Sequence, residues 1–155
     1  MTRARGQQGF VGGFEALPFG FLVFVAGTLL LANAWAVLDA HLAASAAARE
    51  AVRTFVESSG DDASARAAGE RAAMDVIVGH GRSPARTGLS WEGAALVRCQ
   101  AVTATVSYRV PTLAVPWIGV FGGGLVTTSA RHTEVVDPWR AGLPVEGFDP
   151  GACGG

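Results

Sequence analysis

The sequence predicts an α+β chain: a long N-terminal transmembrane helix that continues into an extracellular helix, then a second short helix and a small antiparallel β-sheet. Three observations predict it. Residues 16–38, "ALPFGFLVFVAGTLLLANAWAVL", run for 23 positions without a charge. The Ala-rich stretch after Asp39 keeps high helix propensity with no Gly or Pro until "SSGDD". Beyond residue 100 the apolar period changes to two, the mark of a half-buried strand. The implied divisions are a cytoplasmic head or leader over 1–15, the transmembrane helix over 16–38 and an extracellular helical region over 39–79. A small sheet domain over 80–138 and an irregular Gly/Pro-rich tail over 139–155 complete them.

The charge-free run spans about 34 Å as a helix, enough for a hydrocarbon core of about 30 Å. Pro18 falls in the first turn, where a missing N–H costs little, and Trp35 falls near the far end, where an indole suits the interface. A cleaved signal peptide is the competing reading, since Arg3 and Arg5 precede the run and Ala32–Ala34 and Ala34–Ala36 both offer A-x-A. The run is longer than a usual signal core and its pattern passes through Ala36 without a break, which favours a retained anchor. Arg3 and Arg5 before the span, against mixed charges after it, favour a cytoplasmic N-terminus, a single pass through the cell membrane and an extracellular C-terminal part.

Leu42, Val52, Phe55 and Val56 recur near a helical period, so the helix is expected to continue to about Ser58. Ala40, Ala43, Ala44, Ala47, Ala48 and Ala51 line its middle. They form either a plain Ala-rich stalk or a surface for close approach by another helix. Asp61 or Asp62 is positioned to cap a second helix over about 63–78, ended by "GHG". In "AVTATVSYRV", Val102, Ala104, Val106, Tyr108 and Val110 share one side while Thr103, Thr105, Ser107 and Arg109 share the other. Leu125–Val136 is a second β-rich run and "GLSWEG" a weaker one, which gives a sheet of three or four strands. Pro111–Gly124 between the two clear strands is too long for a tight hairpin, and apolar enough to pack or to touch a bilayer.

Composition limits function. The chain has 155 residues, 50% hydrophobic and 16% charged, with a formal charge of −1, which leaves no basic face for nucleic acid. All twelve basic residues are Arg. His41, His80 and His132 share no metal-ligand spacing, and Gly122–Gly124 lacks the Lys-Ser or Lys-Thr of a phosphate loop, so neither a metal nor a cofactor is expected. There is no nucleophile elbow and no Cys–His arrangement, and Asp61–Asp62 reads as a cap, so the chain is expected not to be an enzyme. Cys99 and Cys153 are too few and too far apart for a zinc site. They are two unconnected thiols or, if this part lies outside the cytoplasm, a disulfide tying the tail to the domain.

The order of these features resembles the TadE-like minor pseudopilins of the tight-adherence, type IV pilus-like secretion machinery, especially the actinobacterial kind. "NAWAVLDAHLAASAAAREAVR" and "VTATVSYRVPTLAVPW" carry the resemblance best, over most of the chain to about Pro138. It implies a membrane-anchored structural component of the cell envelope that assembles through its N-terminal helix with other pilin-like subunits and a pilus assembly platform. It also implies cleavage by a prepilin peptidase between Gly9 and Phe10, and an assembly role for Glu15 in pairing with the freed amine of a neighbour. A cut after Gly9 makes Glu15 the sixth mature residue, where the family pattern has the fifth. The alternative is a secreted or membrane-anchored extracellular binding module, with no pilus role, that uses its sheet face or the "PTLAVPWIGVF" loop.

Overall fold

The computed structural model describes residues 16–112, 124–143 and 153. Helix α1, Ala16–Glu57, is unbroken for 42 residues and changes character along its length. Its first half is the one helix among the described residues long and apolar enough to cross a membrane, with mean hydropathy 2.2 over its best window and no residue of that window buried. The two polar side chains in this half bond back one turn. Thr28 Oγ1 donates to the Phe24 carbonyl at 2.9 Å and Asn33 Nδ2 to the Leu29 carbonyl at 2.9 Å. Such bonds let polar groups sit on an apolar helix without facing lipid unsatisfied.

From Ala40 onward α1 is the spine of the domain. Ala40, Ala43, Ala44, Ala47, Ala48, Ala51, Val52 and Phe55 are all fully buried, following the three-and-four spacing of one helical face. Of the two readings of the alanine stripe, close approach by another helix holds and the bare stalk does not: the chain's own second helix, together with the sheet, covers it. Leu42, expected on the apolar face, is 57% exposed. It lies about 200° around the helix from Ala40, opposite the covered stripe.

Helix α2, Asp62–Gly79, begins at the N-cap Asp61, which accepts from the Ser64 N–H at 2.8 Å. Asp62 plays a different part, since its Oδ1 accepts from the Leu96 N–H at 2.8 Å and ties the segment after the first strand to the helix start. Ala65, Gly69, Ala73 and Ile77 recur every fourth residue and form the buried face of α2. Gly69 is a point of close approach. A Cβ there would lie 2.6 Å from the Ala51 carbonyl oxygen of α1 and 2.9 Å from the Trp91 ring.

A 3₁₀ turn, Pro84–Arg86, leads into the sheet. Strands β1 (Thr87–Glu92), β2 (Ala101–Pro111) and β3 (Leu125–Val135) pair antiparallel in the order β1-β2-β3. The registers Trp91↔Ala104 and Tyr108↔Thr128 fix them. The predicted alternation in β2 holds: Val102, Ala104, Val106, Tyr108 and Val110 are buried against α1. Thr103 on the opposite face is also buried, because its hydroxyl meets that of Thr133 at 2.8 Å. Gly93 follows β1 with φ 65°, and a Cβ there would come 2.5 Å from the Ala101 carbonyl, so the turn requires glycine.

The core grades along α1. Near the span small alanines let the sheet come close; at the far end Phe55 packs on Trp91 with ring centroids 5.4 Å apart. Phe55, Ile77, Val52, Val102, Val106 and Val136 are the largest fully buried side chains. Each contributes about 1.5–3 kcal/mol by leaving water.

Candidate functional site

The two ends of the domain carry different chemistry. At the foot, where α1 leaves its apolar half, Asp39 is the first charge after the span. Arg82, arriving from the turn after α2, donates to the Asp39 carboxylate and also reaches the Ala36 carbonyl at 3.5 Å. Its guanidinium stands 5.1 Å from the centre of the Tyr108 ring on β2. The Arg82 side chain is only 14% exposed while that of Asp39 is 54% exposed. The cation is therefore held by the fold and the carboxylate by solvent as much as by its partner. Two residues on, His41 Nδ1 lies 3.3 Å from the Thr128 hydroxyl on β3. Helix and sheet are thus clipped together by polar pairs at the level where the apolar span ends.

Below these pairs lies an open groove of about 600 Å³ between the apolar helix and the end of the β2–β3 pair. Leu30, Val37 and Leu38 form one wall; Thr112, Val126 and Thr128 form the other. Leu30, Leu38 and Val126 remain 64%, 53% and 43% exposed. The groove has an apolar lining broken by Asn33, His41 and the two threonines, while the Arg82–Asp39 pair lies around the other side of α1.

At the crown, opposite the foot, the tail is fastened in several ways. Cys99 and Cys153 are joined, with Cα atoms 5.1 Å apart, inside the range a disulfide requires. Cys99 itself adopts φ 63°. Its N–H donates to the Val136 carbonyl, while the Val136 N–H donates to Gln100. Arg98 donates to the Pro138 carbonyl and, at 3.0 Å, to that of Leu143; Arg140 donates to the Ser58 carbonyl at the end of α1. Asp61 lies nearby, its carboxyl held below the ordinary value by the Ser64 hydroxyl first and the Ser64 N–H second.

Of the residues singled out from sequence, Gly9, Phe10 and Glu15 lie outside the described residues, as does most of the "PTLAVPWIGVF" loop. Cys99 and Cys153 come together. The histidines do not: His41 meets Thr128, His132 meets Glu134 at 3.2 Å on β3, and His80 closes α2. Among the described residues no three His, Cys, Asp or Glu side chains group closely enough to hold a metal ion.

Comparison with family models, with curated proteins and with solved structures finds no match to this chain. The foot must then be read from its own chemistry. The Arg82–Asp39–Tyr108 cluster was missed in the sequence because its members are 43 and 26 positions from Arg82, and no spacing rule connects them. The available signal was Asp39, a charge at the end of an apolar span that calls for a nearby cation.

Proposed function

We propose that this chain is a membrane-anchored, pilin-like structural subunit of the TadE-like kind, part of a tight-adherence pilus or secretion apparatus. It assembles through its N-terminal helix with other pilin-like subunits on an assembly platform. The observation that carries the reading is the single unbroken helix Ala16–Glu57, apolar and uncovered in its first half and the core of an α+β domain in its second. An assembly built on such subunits joins them through the uncovered half and displays the packed half.

Two further points support it. The joined Cys99 and Cys153 suit an oxidising compartment, hence a domain outside the cytoplasm with the N-terminus inside. Glu15 stands immediately before the span, and a carboxylate at such a position is costly in lipid unless a cation such as a neighbour's freed amine meets it. The polar pairs of the foot attach helix to domain, and the reading assigns the chain no enzymatic step, no cofactor and no nucleic acid.

Mass spectrometry of the mature N-terminus tests the reading. A chain beginning at Phe10 supports processing by a prepilin peptidase. A start near Trp35 or Val37 means secretion, and an intact head means a plain anchor; either outcome overturns the processed-subunit reading. In a processed chain, Glu15→Ala is expected to abolish cross-linking between subunits while the protein still fractionates with the membrane.

A further inference from the structure

We propose that the end of the β2–β3 pair is a membrane footing: Val126 and Leu125 sit in the interfacial layer of the leaflet on the domain's side, and lipid chains fill the groove against Leu30–Leu38. This rests on the reading of Ala16–Leu38 as a membrane span and deepens it, since it gives the domain a second contact with the bilayer besides its own helix.

Lengths along α1 carry the argument. Tyr108 stands level with Asp39, because Arg82 touches both. Pro111 lies three residues further along β2, up to about 10 Å nearer the helix N-terminus. Thr112 and Val126 accordingly line the same groove as Leu30, which lies about 13 Å below Asp39 along the helix. If the whole sheet end stood in water, α1 from Leu30 upward would stand there with it. Residues 16–29 would then remain to cross the bilayer, about 21 Å of helix against a hydrocarbon core of about 30 Å. Placing the sheet end at the interface removes the mismatch. Counted from the same Ala16, a core of about 20 helical residues ends at Trp35, which puts that indole at the boundary layer that indoles favour, level with the start of β3.

The same physics bounds the depth. Among the described residues β3 is an edge strand, and the backbone groups along its open side have no sheet partner there. Hydrocarbon does not tolerate an open edge, whereas the hydrated headgroup layer does. Only the side chains reach the acyl boundary: Leu30, Leu38 and Val126 are exposed on the groove side, and Leu125, 59% exposed, stands on the opposite face of the same strand end. Asp39 and Arg82 mark the headgroup level above them.

The test keeps the full chain and its cysteine pair by placing a ketone-bearing residue at Val126, Leu125, Phe24 or Glu134 in turn and attaching a spin label. The protein is reconstituted in vesicles of phosphatidylcholine with a minor share of phosphatidylglycerol. Collision with oxygen, which favours lipid, is compared with collision with a water-soluble nickel chelate. Val126 is expected to show a several-fold higher oxygen-to-nickel ratio than Glu134, with Phe24 higher still. Leu125 gives the same reading if the substitution at Val126 unfolds the domain. A ratio at both strand positions equal to that at Glu134, with Phe24 in lipid, overturns the footing and leaves the span intact. Phe24 in water overturns both. Shielding of Val126 from both reagents, with broadening between labels, overturns the footing in favour of a second copy.

Discussion

Replacing Gly69 by alanine sets two effects of similar size against each other. In the interior of a helix, alanine is favoured over glycine by up to about 1 kcal/mol, because glycine loses more backbone freedom on folding. At Gly69 the new Cβ would lie 2.6 Å from the Ala51 carbonyl oxygen and 2.9 Å from the Trp91 ring. A carbon and a carbonyl oxygen approach no closer than about 3.3 Å even in favourable contacts. The oxygen belongs to the backbone of α1, so no rotamer change can move it. Either α1 and α2 separate by about 0.7 Å or the Trp91 ring is driven from its place against Phe55. Overpacking of this kind costs about 1–3 kcal/mol.

The net expectation is a loss of about 1 kcal/mol, which lowers the thermal midpoint of a domain this size by about 4–8 °C. The assay is loss of helical circular dichroism on heating the full chain in detergent micelles. Gly79→Ala is the control. It lies at the last residue of α2, where an added Cβ meets nothing within 4 Å, and the midpoint is expected to hold or rise slightly. A Gly69→Ala protein as stable as the control, or more so, would refute the claim that Gly69 sets the separation of the two helices.

Cys153→Ser should remove a crosslink between positions 54 apart in sequence, worth about 4 kcal/mol in the chain-entropy model, and abolish the mobility difference between reduced and unreduced chain on gels. Arg82→Ala is expected to cost about 1–3 kcal/mol, since it strips the Asp39 pair, the Ala36 carbonyl and the Tyr108 ring together. Asp39→Asn, on the solvent-exposed side of the same pair, should cost under about 1 kcal/mol; equal losses in chemical denaturation would count against the asymmetry. Because the Asp61 carboxyl is held low in the folded chain, its contribution is fully present above the ordinary carboxylate pKa and lost as pH falls through the lowered value. Asp61→Asn should therefore flatten the fall of the thermal midpoint in acid and leave the midpoint near neutrality less changed than Asp61→Ala does.

Much of the fold could be read from local pattern, and the limits of that reading have physical causes. The long apolar helix, the cap at Asp61 and the period-two alternation of β2 are all properties of neighbouring residues, and each stands in the structure. The strand at Thr87–Glu92 was faint because Leu89 and Trp91 are its only large apolar residues; pairing with β2 holds it. The alanine stripe was ambiguous for a deeper reason. Alanine removes little apolar area from water, so its spacing reports that something comes close without saying what. The foot could not be read at all. Arg82 finds Asp39 only because α2 returns the chain along α1 to the level where the span ends, and that return depends on Gly69 and Ala51 touching.

The division of labour along α1 follows from what presses on each half. Beyond Asp39 the helix has α2 and the sheet packed against it, and a row of Leu or Phe there would hold both at a distance and leave the polar clips at Arg82 and His41 out of reach. Small residues bring both layers close enough for those clips to form. Before Asp39 the described residues cover the helix only in part, at Ala36 and Val37 and beside the groove, and large side chains are what a lipid or a neighbouring helix can pack against. Because no break separates the halves, a displacement of the span is transmitted to the domain as a rigid rod, and the polar clips at the foot resist bending where the leverage is greatest. Under the proposed assembly through the N-terminal helix, that stiffness would hold each domain at a fixed angle to its neighbours.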